Sequence, residues 1–123
     1  LDMFREIYLA ACLAKIREMD AACLSAEEVL YMATAGGAKA MGLKECVSLA
    51  PGNKADLVMI DLHQPNMQPE NNIVKNLVYS GSKQNVRMTM VNGRILYEDG
   101  SFYTGFEPEE VYAKANEIIA RMV

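Results

Sequence analysis

The sequence predicts an α+β fold in the order helical segment, small β-sheet, C-terminal helix. Three observations carry this prediction. The first segment, Leu1 to about Met19, contains no Pro or Gly and is rich in Ala, Leu, Ile and Met, and a helix-capping box follows at Ser25 and Glu28. From Cys46 the texture changes to short β-rich runs bounded by Pro, Gly, Asn and Asp. After Pro108 the apolar residues return to helical spacing. At 123 residues, 51% hydrophobic and 23% charged, the chain has the size of one ordinary domain. Folding of such a chain should bury roughly two-thirds of the unfolded surface, so packing rather than disulfides should hold it.

The first helix is predicted from Leu1 to about Met19, capped by Asp2, with Cys12, Ile16, Met19 and Cys23 at buried helical spacing. Lys15, Arg17 and Glu18 fall elsewhere on the cylinder. A second helix starts at Ser25, where a hydroxyl and the Glu28 carboxylate can each satisfy a backbone N–H of the first turn. Leu24 and Val29 occupy the positions of a hydrophobic staple, and Met32 and Ala33 continue that face. Gly36-Gly37 should end or bend this helix, with a short turn from Ala38 to Met41 stopped by Gly42.

Pro51-Gly52-Asn53 is a turn signal, and Asp56 to Asp61 reads as a short buried strand bounded by acids. A Pro- and Asn-rich connection runs from His63 to Asn72. Ile73, Val74, Leu77 and Val78 then have helical spacing behind a cap at Asn72. Val86 to Glu98 is predicted to be a hairpin, because Asn92-Gly93 suits the positive φ values of a type I′ turn. A two-residue loop would set Val91 opposite Arg94, Met88 opposite Tyr97 and Arg87 opposite Glu98. That places Val86, Met88, Met90, Ile95 and Tyr97 on the core face. Asp99-Gly100 turns the chain before Phe102-Tyr103. The last helix starts at Pro108, with Phe106 and Val111 as a staple, and docks through Val111, Ala115, Ile118 and Met122.

Composition narrows the chemistry. A formal charge of −4 and scattered Lys and Arg speak against nucleic-acid binding. No apolar run approaches the roughly 20 residues of a bilayer span, and no signal-peptide pattern is present, so no membrane association and a cytoplasmic location are expected. Cys12, Cys23 and Cys46 are odd in number and widely spaced, which reads as buried reduced thiols rather than a disulfide framework or a metal clip. His63 is the single histidine and has no second ligand at metal spacing. Asp56 and Asp61, five positions apart on a strand, project to opposite faces and read as strand-end groups, not an acid pair. Gly36-Gly37 lacks the surroundings of a phosphate-binding loop, and Ser25, Ser48, Ser80, Ser82 and Ser101 read as caps or turns without a nucleophile elbow. No residue is therefore assigned as catalytic, cofactor-binding or metal-ligating.

Read together, Leu24 to Leu43 (LSAEEVLYMATAGGAKAMGL), Leu49 to Asp61 (LAPGNKADLVMID) and Val86 to Leu96 (VRMTMVNGRIL) resemble the C-terminal portion of metal-dependent amidohydrolases. The resemblance is to the branch containing cytosine and guanine deaminases, chlorohydrolases, and methylthioadenosine or S-adenosylhomocysteine deaminases. Leu77-Val78-Tyr79-Ser80 adds weight to the last group. In such enzymes a (β/α)₈ barrel carries the metal site and a small β-sandwich is assembled from both termini. The resemblance implies that residues 1–45 are closing helices of the barrel. Residues 46–123 would then be the C-terminal part of the composite sandwich with its terminal helix.

The family's ligands are an HxH pair, two later histidines and an aspartate on the last barrel strand, and none carries over to this sequence. Leu1-Asp2-Met3-Phe4 resembles the residues just after that aspartate, so Asp2 is not the ligand. For a complete enzyme the resemblance implies water activation by zinc or another divalent ion and expulsion of ammonia or a related leaving group. The resemblance implies a catalytically incomplete C-terminal fragment of a metal-dependent hydrolase of non-peptide C–N bonds, one that deaminates a nucleobase- or nucleoside-like substrate, with the upstream barrel of its own chain as partner. The absent initiator Met agrees with a fragment but proves nothing. The alternative is a non-enzymatic fold or oligomerisation module derived from such an enzyme. Apolar faces left open in either case predict self-association.

Overall fold

The computed structural model describes residues 2–122. Helix α1 spans Met3–Glu18, and Asp2 caps it by accepting the Phe4 N–H at 3.1 Å. α2 spans Ala26–Tyr31 and begins with the expected capping box: Ser25 Oγ accepts from Glu28 N at 3.2 Å, and the Glu28 carboxylate accepts from Ser25 N at 2.7 Å. α3 is Gly37–Ala40 and α4 is Ile73–Tyr79, capped at its start by Asn72 accepting the Lys75 N–H at 2.9 Å. The strands are β1 (Leu57–Ile60), β2 (Val86–Val91), β3 (Arg94–Glu98) and β4 (Ser101–Phe102). They form one antiparallel sheet in the order β1-β2-β3-β4. α5, Pro108–Ala120, ends the described chain. The expected outermost helix residues, Leu1 and Val123, lie outside the described residues.

The helical core is small. Ile7 and Ala11 of α1, Ala26 and Val29 of α2 and Val78 of α4 form it, with Phe4, Leu24, Leu30, Ala33 and Val74 against its rim. The buried stripe of α1 is therefore Phe4-Ile7-Ala11 and not the expected Cys12-Ile16-Met19-Cys23. α1 meets its neighbours through its N-terminal half, leaving Ile16 exposed, while Met19 takes a left-handed φ of 52° and leaves the helical register. Cys12, Cys23 and Cys46 are free but only half-buried, where burial was expected. On α2 the stripe runs Ala26, Val29, Leu30 and Ala33, so Met32 falls beside it and is exposed.

Gly36-Gly37 neither ends the helix nor forms a loop. Both residues keep right-handed helical angles, and a widened π turn over Met32–Gly36 leads directly into α3. A Cβ on Gly36 would lie 3.0 Å from the Tyr31 carbonyl oxygen and 3.1 Å from its ring, so the glycine lets that ring lie across the turn. Termination comes at Gly42, whose φ of +75° closes a Schellman motif with Leu43 N–Ala38 O at 2.9 Å and Gly42 N–Lys39 O at 3.0 Å.

Two expectations for the sheet are corrected. β1 was read as buried, yet it is an edge strand, and Val58 and Met59, which point to opposite faces of the sheet, are both exposed, so neither face is covered there. The hairpin does turn at Asn92-Gly93 with both φ values positive and with Val91 opposite Arg94. A register shift beyond Met90–Ile95 then pairs Thr89 with Tyr97 and Met88 with Glu98. The residue inserted on β3 moves Tyr97 off the Met88 side of the sheet, where it packs on Phe102 with ring centroids 5.1 Å apart.

α5 forms where Pro108 predicts it, but no residue in it is buried and its intended docking face is open. The total accessible surface is 9196 Å². A compact chain of 13.6 kDa should expose roughly 6,600 Å². Folding thus buries only about half of the unfolded surface, and the expected two-thirds is not reached. The excess is apolar in large part, lying on α1, β1 and α5.

Candidate functional site

The densest polar constellation lies where β1 ends and β2 begins, built around a single buried side chain. Asn85 is 1% exposed. Its Oδ1 accepts from Ser82 N at 3.0 Å and from Asn66 Nδ2 at 2.8 Å, while its Nδ2 donates to Asp61 O at 3.3 Å and Asn66 Oδ1 at 3.2 Å. Asn66 Nδ2 also donates to Ser80 O at 2.7 Å, at the end of α4. Asn76, inside α4, donates to Met67 O at 2.8 Å and Pro69 O at 2.9 Å. Three asparagines therefore tie the Pro65–Met67 turn, α4 and the sheet into one body, over the fully buried Met67 side chain.

At the rim of this junction Asp61 accepts the His63 N–H at 2.8 Å and the Gln64 side-chain amide at 2.8 Å, with Arg87 3.8 Å away. Those donors, the Gln64 amide first and the His63 N–H next, hold the Asp61 carboxyl below the usual carboxylate range against the opposing effect of burial. Arg87 also pairs with Asp99 at 2.5 Å. An open depression of about 480 Å³, lined by Asp61, His63, Glu70, Arg87 and the apolar Met59 and Leu62, lies beside them. His63 is exposed at its edge. Both oxygens of Asp61 accept from donors of the loop that follows it, so the group serves as an anchor for that loop.

Asp56 brackets the other end of β1. It accepts from the Cys46 thiol and from Asn92 N at 2.5 Å, which lower its pKa, the thiol contact contributing most. The same contact, with burial, pushes the Cys46 thiol up, away from the thiolate that nucleophilic chemistry needs. Asp56 and Asp61 thus hold separate turns and are not brought together. Ser25 and Ser82 cap turns, Ser48 accepts from Asn53 at 3.0 Å, and Ser80 ends α4, whereas Ser101 stands in β4 and is neither cap nor turn. Among the described residues no group of three His, Cys, Asp or Glu side chains converges as a cation site.

Sequence reasoning missed four structural residues. Asn85 stands three residues after Ser82, and its side chain completes a capping box there, a spacing visible in the sequence. Asn66 and Asn76 carry no such local signal, because their partners lie at sequence separations of 7 to 19. Lys15, placed only as lying off the apolar stripe of α1, reaches the carbonyls of Ala21 at 2.9 Å, Cys23 at 2.6 Å and Leu24 at 3.3 Å, closing the loop between α1 and α2.

The three blocks that carry the resemblance fall on α2–α3, on the turn leading into β1 and on the β2–β3 hairpin. The amidohydrolase family profile matches residues 1–96. The chain belongs to the amidohydrolase family. A 5-methylthioadenosine/S-adenosylhomocysteine deaminase of Nitratidesulfovibrio vulgaris is 44% identical over 118 residues, which is 96% of this chain and 27% of that protein. An adenosine deaminase from Xanthomonas campestris, crystallised with bound zinc, superposes with a TM-score of 0.91 at 31% identity, over 97% of this chain and 27% of that one. Atrazine chlorohydrolase from Arthrobacter aurescens, complexed with zinc, superposes with a TM-score of 0.81 at 26% identity, over 94% and 26%. The likeness to the deaminase and chlorohydrolase branch is thus borne out. This amidohydrolase chain spans about a quarter of the length of the proteins it matches. No helix among its described residues is long and apolar enough to cross a membrane.

Proposed function

We propose that this chain is the closing portion of a metal-dependent hydrolase of non-peptide C–N bonds, one that deaminates a nucleobase- or nucleoside-like substrate. In this reading residues 1–45 finish a (β/α)₈ barrel and residues 46–123 form the C-terminal share of a composite β-sandwich. The observation that carries it is the 44% identity to a named deaminase over 96% of this chain but only 27% of that protein. The open apolar surfaces of α1 and β1 agree, since an upstream barrel of the same polypeptide would cover them. Free half-buried thiols suit a reducing compartment, and we assign the protein to the cytoplasm.

The described residues do not fit a hydrolytic metal: His63 is exposed, Asp56 and Asp61 are occupied by donors of their own chain, and no third ligand joins them. The reading therefore assigns zinc, or another divalent ion, and the activated water to residues outside this chain. What the 123 residues contribute is rigidity. The Asn85 junction fixes α4 to the sheet, and α4 in turn buttresses α1 through Val78 and Phe4.

The test is a chimera in which these 123 residues replace the corresponding quarter of the Nitratidesulfovibrio vulgaris deaminase. The expected result is near-stoichiometric zinc by elemental analysis and ammonia release from 5′-methylthioadenosine, with neither property in the 123-residue chain alone. A folded chimera that holds no metal refutes the proposal. So does an isolated chain that keeps a stoichiometric ion through mild chelation, which would put a site around His63.

A further inference from the structure

The described residues hold α5 only weakly. None of its residues is buried, and Val111 and Ile118, at the centre of its apolar face, are about half exposed at 51% and 49%. Phe106, Val111, Ala115 and Ile118, with Glu110 and Lys114, line an open groove along that face. An isolated helix of 13 residues is marginal in water, so a face this regular calls for a cover. Yet α5 keeps its place in a longer chain: the superposition on the zinc-bound adenosine deaminase takes in 97% of this chain and leaves out fewer residues than α5 contains. In that protein the other three quarters of the polypeptide are present.

Area and tethering separate the possible covers. The accessible surface exceeds that of a compact chain of this mass by about 2,600 Å², and the excess is shared among α1, β1 and α5. A whole interface of ordinary size takes only about 800 Å² from each partner, and two paired helices take less. A second copy seated on α5 would therefore leave Leu13 and Ile16 of α1 and Val58 of β1 in water, whereas one large body can cover all three elements. Residues joined to α5 in the same polypeptide also meet it at an effective concentration on the order of millimolar, which a separate copy reaches only in concentrated solution.

We infer that α5 is a clasp whose occupant is the remainder of its own polypeptide, docked in cis on the apolar face from Val111 to Met122. The surface that receives it is apolar over about three helical turns and neutral or basic beside Glu107, Glu109 and Glu110, which gather at the start of α5. The inference rests on the reading of this chain as the closing portion of a larger protein, and neither metal nor substrate enters it.

Hydrogen exchange of the α5 amides, read by mass spectrometry in the 123-residue chain and in the deaminase chimera, tests it. In the chain alone α5 should exchange about as fast as an unfolded peptide at every concentration. In the chimera its exchange should slow about tenfold or more, and Ile118→Asp should abolish most of that slowing while protection at Val78 and Met88 stays in place. A chimera that protects α5 but holds no zinc upholds the clasp and refutes the hydrolase reading, whereas one that holds zinc while α5 exchanges freely refutes the clasp alone. Protection of α5 in the dilute isolated chain overturns the inference, because its own quarter would then suffice. Protection that grows with concentration there overturns it too, by giving the face to a second copy. The intact Nitratidesulfovibrio vulgaris deaminase, whose alignment with this chain reaches into α5, supplies a measurement that does not depend on the chimera folding. Its matching residues should be protected in the dilute monomer, and free exchange there overturns the inference.

Discussion

Replacing Asn85 by Ala should unfasten the junction between α4 and the sheet, and the cost can be worked from its contacts. The substitution leaves the Ser82 N–H and the Asp61 carbonyl without the partners they have at 3.0 and 3.3 Å, and removes one of the two acceptors of Asn66 Nδ2. An unsatisfied buried backbone group costs about 1–3 kcal/mol, reduced where water reaches it, so the expected loss is about 2–4 kcal/mol. For a chain of this size that lowers Tm by about 8–16 °C. Asn85→Asp keeps the acceptor bonds but turns a carboxylate oxygen toward the Asp61 carbonyl and Asn66 Oδ1, so at pH 7 it should lose at least as much. Its deficit relative to the parent should narrow as pH falls, because a protonated carboxyl regains a donor. Urea unfolding monitored by circular dichroism at several pH values measures both variants, with the exposed Asn71→Ala as a neutral control. A loss below about 0.5 kcal/mol in Asn85→Ala, within the range of ordinary surface substitutions, would show that the asparagine network does not hold the two halves together.

Two further outcomes are expected. Gly81→Ala should destabilise by about 1–3 kcal/mol in thermal unfolding, since its Cβ would meet the Leu77 carbonyl oxygen at 2.5 Å and the Phe4 ring at 2.7 Å. A stability equal to the parent would mean that α1 and α4 can part without loss. The carboxyls of Glu28, Asp56 and Asp61 are all held below their ordinary values of 4.5, 3.8 and 3.8, Glu28 chiefly by the Ser25 N–H. Their contribution is complete above those values and is lost as pH falls through the lowered ones, so the urea midpoint should drop below about pH 4.5. Glu28→Gln should flatten that dependence, and an unchanged slope would remove Glu28 from it.

The elements specified by local chemistry were legible in the sequence. The Ser25–Glu28 box, the Asn72 cap, Asn92-Gly93 and Pro108 each act within a few residues, so helix starts and the hairpin turn could be placed before any packing was known. Family membership was legible for a related reason, because the blocks from Leu24, Leu49 and Val86 are read along the chain. Which face of each element is covered was not. Cys12-Ile16-Met19 and Phe4-Ile7-Ala11 are both apolar, and only the positions of α2 and α4 select the second. Likewise β1 has the composition of a buried strand but stands at the edge, and α5 has a docking face that the described residues leave largely open. The β3 insertion that displaced Tyr97 and the buried Asn85 node depend on partners distant in sequence. Capping and turn propensities are local free energies and travel with the residues, whereas burial, register and polar satisfaction are properties of what each residue meets after folding, and those the tertiary structure alone decided.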